Sequence, residues 1–343
     1  MINNFTNNNL FIILTLSHII LISFALLIIF FKDKISSYFL IIDYPDSSLK
    51  IHQLPTPRLG GLVLFSYVLP ALLLNFTIYP MVYKNLITTL TIFIIFFFVG
   101  LIDDQKSLTA NKKSLILLIT LLISISISNE LIINQINFKN LSLAINLGQF
   151  AIFFSIFSIF ALYNAFNFSD GINGVAPSLG IFWIIFVIIK SENYINFYYQ
   201  SILISLIIIL YFNIKKKIFL GNSGANLYAI IISLILIQEY KKNNIFCDEI
   251  FFLLFLPGID MIRLTIQRIY SGNSPFLGDN KHLHHLIANL IKEKYVFATY
   301  IIISVMPILI YSFLIQNFYF VFAFSVTKYF AIFFLLTKLR KIN

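Results

Sequence analysis

Long apolar stretches recur from one end of this chain to the other, broken by short polar segments. Candidate spans fall at about 10–31, 60–79, 86–103, 114–128, 149–166, 174–189, 196–213, 218–238, 246–263, 296–315 and 317–337. Most approach the ~20 largely apolar residues that a helix needs to cross a bilayer, the fourth being the shortest. Inside hydrocarbon every backbone N–H and C=O must be satisfied within the segment, so the pattern predicts helices throughout. The expected fold class is all-α, a polytopic integral membrane bundle of about eleven transmembrane helices. The segment 129–148 instead alternates apolar and polar residues and is expected to form a small hairpin or interfacial element. No internal repeat or low-complexity linker interrupts the chain, and 1–343 reads as a single domain with its polar loops gathered on one face.

Composition sharpens this reading. Of 343 residues 59% are hydrophobic and 11% charged, with 39 Phe, against ~25% charged in soluble domains. Mean hydropathy is +0.91. No soluble core could hide this much apolar surface, so the excess faces lipid. A formal charge of +10 suggests nucleic acid at first sight, but basic residues beside membrane spans set topology and meet anionic lipid. With the N-terminus outside, 18 of the 24 Lys and Arg fall on inner segments. The outer side holds Lys84, Lys139, Lys190, Lys241 and Lys242, and Lys328 lies within the last span. This bias predicts N-out, C-in and an odd number of spans. The first apolar run, Leu10 to Phe31, is too long for a signal-peptide core and lacks a small-residue cleavage site, so it reads as a retained span. The single cysteine, Cys247, excludes an intramolecular disulfide and a multi-Cys metal site. His18, within the first span, reads as a packed or helix-bonded histidine.

Four polar clusters break the apolar pattern, all on the inner side. The first runs from Asp43 through Lys50, His52, Thr56, Pro57 and Arg58 to Gly60-Gly61. Thr-Pro-Arg before Gly-Gly makes a stiff turn that presents Arg58; a solvated topogenic loop is the plain alternative. The second is Gly100-Leu-Ile-Asp103-Asp104, at the end of the third span. Adjacent carboxylates repel unless a cation or basic partner compensates, and Mg²⁺ typically uses one or two carboxylates plus substrate phosphates. The third spans Asn164, Asn167, Asp170, Gly171, Asn173 and Gly174. It can be a loop that reads a base or sugar while Asp170 binds metal, or simply a helix cap and turn. The fourth runs from Ser274-Pro275-Phe276 to Lys281-His282-Leu-His284-His285. Ligands at zinc spacing are missing nearby, and imidazoles beside Lys281 and Arg268 suit phosphate contact or proton transfer better. A weaker fifth element, Gly221-Asn222-Ser223-Gly224-Ala225 after three lysines, either lets a helix N-terminus approach a phosphate or serves close packing.

In this order the clusters resemble the polyprenyl-phosphate N-acetylhexosamine-1-phosphate transferase superfamily, glycosyltransferase family 4. The resemblance runs from Asp43 to His285, through Thr-Pro-Arg-x-Gly-Gly, Asp-Asp, Asn-x-x-Asn-x-x-Asp-Gly-x-x-Gly and Ser-Pro-Phe with His-x-His-His. It is more similar to the branch that starts O-antigen and related surface polysaccharides than to the peptidoglycan-precursor enzymes. The resemblance implies transfer of an N-acetylhexosamine-1-phosphate from a UDP-sugar to polyprenyl phosphate, with release of UMP, on the cytoplasmic face of a bacterial inner membrane. Its cofactor would be Mg²⁺, with Mn²⁺ as the alternative, and its partners the UDP-N-acetylhexosamine, the lipid phosphate and the membrane, without nucleic acid. A homodimer is compatible with it.

The same resemblance assigns roles. Asp103, Asp104, Asp170, His282, His284 and His285 would be catalytic. Asp103, Asp104, Asp170 and Asn222 would face the metal. Lys50, His52, Thr56, Arg58, Asn164, Asn167, Asn173, Asp260 and Lys281 would bind substrate. Two positions depart from the family pattern, Asn173 and Asn222, where acids are usual. They keep open a catalytically impaired relative that binds lipid phosphate or partners. A transporter would instead place polar groups at mid-span depth, and the acids here gather at inner helix ends.

Overall fold

The computed structural model describes residues 7–45, 54–78, 82–141, 143–191, 196–274 and 280–342. Among these, nine helices are long and apolar enough to cross a membrane. They are α1 (Asn7–Phe30), α3 (Gly60–Ile78), α4 (Tyr83–Gln105), α5 (Ala110–Ile127), α6 (Ala151–Ser169), α8 (Phe197–Ile214), α9 (Gly221–Lys241), α13 (Glu293–Leu309) and α14 (Phe318–Ile342). The other two expected spans take different forms. The 174–189 segment is α7 (Val175–Lys190), apolar but only 16 residues long. The 246–263 segment divides at Leu254 into α10 (Cys247–Leu253) and α11 (Phe255–Tyr270). Pro257 explains the break: it has no N–H to offer the carbonyl four residues back, so a continuous helix would lose a bond there. Two short helices, α2 (Lys32–Phe39) and α12 (Leu283–Ala288), lie in polar segments. The expected hairpin in 129–148 is present as β3 (Gln135–Asn137) paired antiparallel with β4 (Ala144–Asn146).

The chain packs as two compact units. The first comprises α1 to α5, α7 from Ile184, α8, and α9 as far as Tyr228. In it α3 packs on α8 and α1, and α4 on α5. Val63, Leu64, Tyr67, Ile202, Leu206 and Ile209 are buried there. His18 does not bond to its own helix: Nδ1 lies 3.1 Å from the Tyr67 hydroxyl on α3, and Nε2 lies 3.4 Å from Gln200 Oε1 on α8. Only 11% of the hydrophobic window of α1 is buried in the protein, as a lipid-facing helix requires. A second small ladder pairs β1 (Ile42–Asp43) with β2 (Thr56–Pro57).

The second unit contains the 135–146 hairpin, α6, α7 as far as Trp183, α9 from Ala229, and α10 to α14. Here α6 packs on α11, and α13 meets α10, α11 and α12. The hairpin is pinned to helix ends by buried polar groups. The Tyr240 hydroxyl accepts from Asn137 N at 2.7 Å and donates to the Gln135 carbonyl at 2.6 Å. The fully buried Asp248 carboxylate accepts from Lys139 N and the Tyr311 hydroxyl.

Candidate functional site

In the first unit, three of the polar clusters meet. The β1–β2 ladder sets Asp43 opposite Thr56, and Arg58 N donates to the Ile41 carbonyl at 2.9 Å. The Pro57 carbonyl accepts from Phe219 N, and Gly60 N and Gly61 N donate to the Phe219 and Leu220 carbonyls. The Thr-Pro-Arg turn is thereby fastened to the segment that leads into α9. From it the Arg58 guanidinium reaches the Asp43 carboxylate at 2.5 Å and the Asp104 carbonyl at 3.2 Å, with Asp104 Oδ1 at 3.8 Å. Thr56 is buried, its hydroxyl donating to the Leu54 carbonyl.

The paired acids at the end of α4 have different surroundings. Asp104 is buried and accepts from α9: Asn222 N at 2.8 Å on Oδ1, Ser223 N at 2.9 Å and Ser223 Oγ at 2.7 Å on Oδ2. It thus satisfies orphan donors at a helix start, where negative charge also meets the positive end of the helix dipole. Gly221 makes this approach feasible: its φ is +74°, and an added Cβ would lie 2.8 Å from Asp104 Oδ2. Gly61 and Gly100 also pack directly on Ser223, leaving no room for a side chain. Asp103 accepts from Leu108 N at 2.7 Å and from Lys113 Nζ at 3.0 Å. The repulsion expected of adjacent carboxylates is relieved by separate partners, a helix N-terminus for one and a lysine for the other.

The second unit gathers the remaining two clusters. Asp260, buried on α11, is the hub. Its Oδ1 accepts from Arg263 Nη2 at 2.8 Å and the Tyr329 hydroxyl at 2.7 Å; its Oδ2 receives Leu283 N at 3.2 Å and lies 2.9 Å from His282 Nδ1. An ionised carboxylate only accepts, so Nδ1 carries the proton and Nε2 is the nitrogen left for chemistry. Arg263 also donates to the Lys281 carbonyl at 2.8 Å, fixing the chain that enters α12. The His282 ring lies 5.3 Å from the Phe168 ring and stacks at 5.5 Å on His284. The Arg268 guanidinium, also buried, sits 5.2 Å over the Phe168 ring.

His284 is only 1% exposed, and neither ring nitrogen has a hydrogen-bond partner. Burial, then the neighbouring His285 and His282, push its pKa well below the usual histidine range, so it is neutral. The loop after α6 lies against these rings: a Cβ on Gly171 would stand 2.6 Å from His284 Nε2 and 2.7 Å from His285 Nε2. The two asparagines of the last turns of α6 bond back within the helix. Asn164 Nδ2 donates to the Phe160 carbonyl and Asn167 Nδ2 to the Tyr163 carbonyl, each one turn back in α6. Asp170 caps the end of that helix. Asn173 Nδ2 donates to Glu293 Oε1 at 3.0 Å.

The expected site residues therefore fall into two groups. Thr56, Arg58, Asp103, Asp104 and Asn222 belong to the first unit; Asn164, Asn167, Asp170, Asn173, Asp260, Lys281, His282, His284 and His285 belong to the second. Lys50, His52 and the 275–279 stretch lie outside the described residues. Among the described residues no three His, Cys, Asp or Glu side chains are grouped to hold one ion. Sequence reasoning passed over Arg263, Tyr329, Phe168 and Glu293. Arg263 carried a signal, since it stands three residues after Asp260 on one helix face. Tyr329 and Glu293 carried none, because each reaches the site from a distant helix.

Known proteins of similar sequence are the following. The family model for glycosyl transferase family 4 matches residues 86–239, which run from α4 to α9. The undecaprenyl-phosphate alpha-N-acetylglucosaminyl 1-phosphate transferase of Escherichia coli (strain K12) is 23% identical over 280 residues, covering 77% of this chain and 73% of that protein. The decaprenyl-phosphate N-acetylglucosaminephosphotransferase of Mycobacterium leprae (strain TN) is 26% identical over 274 residues, 70% of this chain and 68% of the relative. A probable undecaprenyl-phosphate N-acetylglucosaminyl 1-phosphate transferase of Bacillus subtilis (strain 168) is 28% identical over 251 residues, with 71% and 68% covered. With the order of polar clusters along the helices, these matches make the chain similar to glycosyl transferase family 4 and to its polyprenyl-phosphate N-acetylglucosamine-1-phosphate transferases.

Proposed function

We propose that this protein transfers N-acetylglucosamine-1-phosphate from UDP-N-acetylglucosamine to a polyprenyl phosphate, on the cytoplasmic face of a bacterial inner membrane. An oxygen of the lipid phosphate attacks the β-phosphorus of the UDP-sugar. The bond from that phosphorus to the oxygen bridging the two phosphates breaks, and UMP leaves with that oxygen. The product is a sugar–pyrophosphoryl lipid, the first lipid-linked intermediate of a surface polysaccharide. The observation that carries this reading is the Asp260–His282 pair flanked by Arg263 and packed beside the Asp170–Gly171 loop. A carboxylate that orients an imidazole, next to fixed guanidinium charge, suits binding phosphate and moving a proton at Nε2.

The same unit has room for an isoprenoid chain. An apolar cavity of about 510 Å³ is lined by Leu162, Leu236, Phe251, Phe255, Ile259 and Ile262, among others. The helix that supplies its Ile259 and Ile262 also carries Asp260 and Arg263. In the first unit Arg58 and the α9 N-terminus offer positive charge for a second anionic group.

A Mg²⁺ ion, or Mn²⁺ in its place, is part of the proposal, and it would neutralise charge developing on the pyrophosphate. In the first unit Asp103 and the neutral oxygen of Asn222 are the residues that would hold it, and in the second unit Asp170. Asp104 suits it less, because three donors from α9 occupy its oxygens.

The test is purified protein in detergent with undecaprenyl phosphate, Mg²⁺ and radiolabelled UDP-N-acetylglucosamine, with other UDP-N-acetylhexosamines in parallel. Lipid-linked label and stoichiometric UMP are expected. Folded, monodisperse protein that makes neither product from any donor would refute the proposal.

A further inference from the structure

The loop that carries Asp170, with the helix end before it, is fastened to the histidine segment at one point and to α13 at two. The Ser169 hydroxyl is hydrogen-bonded to Tyr300 on α13. Gly171 lies against His284 and His285. Asn173 donates to Glu293 at 3.0 Å. The third point stands apart chemically because it includes a carboxylate. Glu293 is the first residue of α13, where negative charge is favoured by the helix dipole, and only four residues separate it from the end of α12. One oxygen of this carboxylate accepts from the Asn173 amide. An acid at 173 would place two carboxylates about one hydrogen-bond length apart, and one would have to take up a proton or swing away.

We infer that Glu293 is a positioning residue for the transferase, and that it holds the Asp170–Gly171 turn against His284 and His285 through Asn173. The amide at 173 is then no vestige of a lost acid. It is a donor to the acid at 293, and the pair keeps one negative charge between the two positions. Neither residue touches the reacting atoms in this scheme. Their role is to set where Asp170 stands relative to the imidazoles.

The inference rests on the transferase reading proposed above, and an exchange of the two groups tests it. Turnover, KM for the UDP-sugar and the pH profile are measured for wild type, Asn173→Asp, Glu293→Gln and the double variant, with melting temperature recorded for each. Asn173→Asp should lose about tenfold or more in turnover, the scale of one hydrogen bond to a charged group. It should regain activity as the pH is lowered and the two acids come to share a proton. Glu293→Gln should be mild, since its amide oxygen still accepts from Asn173. The double variant restores one donor and one carboxylate in swapped positions, and should return to within a few-fold of wild type with a normal pH profile.

Asn173→Asp with wild-type or higher turnover overturns the inference, and so does a double variant no better than Asn173→Asp alone. If Asn173→Asp does not fold, Glu293→Ala decides: turnover well below that of Glu293→Gln supports the pairing, and equal turnover overturns it. A wild-type protein inactive with every donor would instead count against the transferase reading itself.

Discussion

His284 sits almost out of reach of water, with both ring nitrogens unpartnered and two other imidazoles close by. Its folded-state pKa is lowered, so below the unfolded value near 6.5 the unfolded chain binds a proton that the folded chain refuses. Stability is therefore full above about pH 6.5 and falls as the pH drops beneath it, by up to ~1.4 kcal/mol per pH unit for one group. Thermal unfolding between pH 5 and 7.5 should show this acid loss, and His284→Phe should remove that part of the slope. An unchanged slope in the variant would assign the effect to another group. From sequence, His282, His284 and His285 form one motif. Packing separates them into a histidine oriented by Asp260, a buried neutral ring, and a ring against Gly171. Residue type alone carries no information about which of these each becomes.

Between elements, the decisive contact is the end of α4 on the start of α9. Asp-Asp at a helix end reads from sequence as a metal site, and the weak Gly-Asn-Ser-Gly turn as either a phosphate-facing helix N-terminus or close packing. In the fold the two are halves of one contact, with Asp104 accepting three donors from Asn222 and Ser223. The prediction at this scale is that Asp104→Asn, which turns an acceptor into a donor facing donors, destabilises the protein by ~2–3 kcal/mol and lowers turnover as well. Melting temperature and turnover measured together check it. Lost turnover with an unshifted melting temperature would mean that Asp104 serves the chemistry and not the helix start. The break between α10 and α11 was similarly open to reading, since Pro257 sits inside the apolar run. Its consequence was not: a helix placed so that Asp260, Arg263 and the cavity-lining Ile262 share it.

For the whole molecule, charge is scarce and committed. The chain has 14 acidic residues against 24 basic ones, and several buried acids, Asp104, Asp248, Glu249 and Asp260 among them, are held by donors. Two anionic substrates entering such a site need cationic compensation beyond fixed side chains, which is the physical case for a divalent ion. Chelation with EDTA should abolish turnover, and Mg²⁺ or Mn²⁺ should restore it, while the melting temperature stays constant because buried acids already have protein partners. Full turnover after exhaustive chelation would refute the metal requirement.

By itself the sequence determined what depends on local composition: helices wherever hydrocarbon leaves backbone groups no other partner, a hairpin where residues alternate, a family resemblance from the order of its polar clusters. It also marked most of the chemically capable side chains, because polar groups are conspicuous in an apolar chain. Tertiary structure alone decided which of those groups are spent on holding the fold. It gives Asp104 three donors at the start of α9 and Asn173 a bond to Glu293, contacts that the residue types do not announce. Hydrogen-bond partners are set by contacts between segments up to 182 positions apart, and no local pattern encodes a partner that far away.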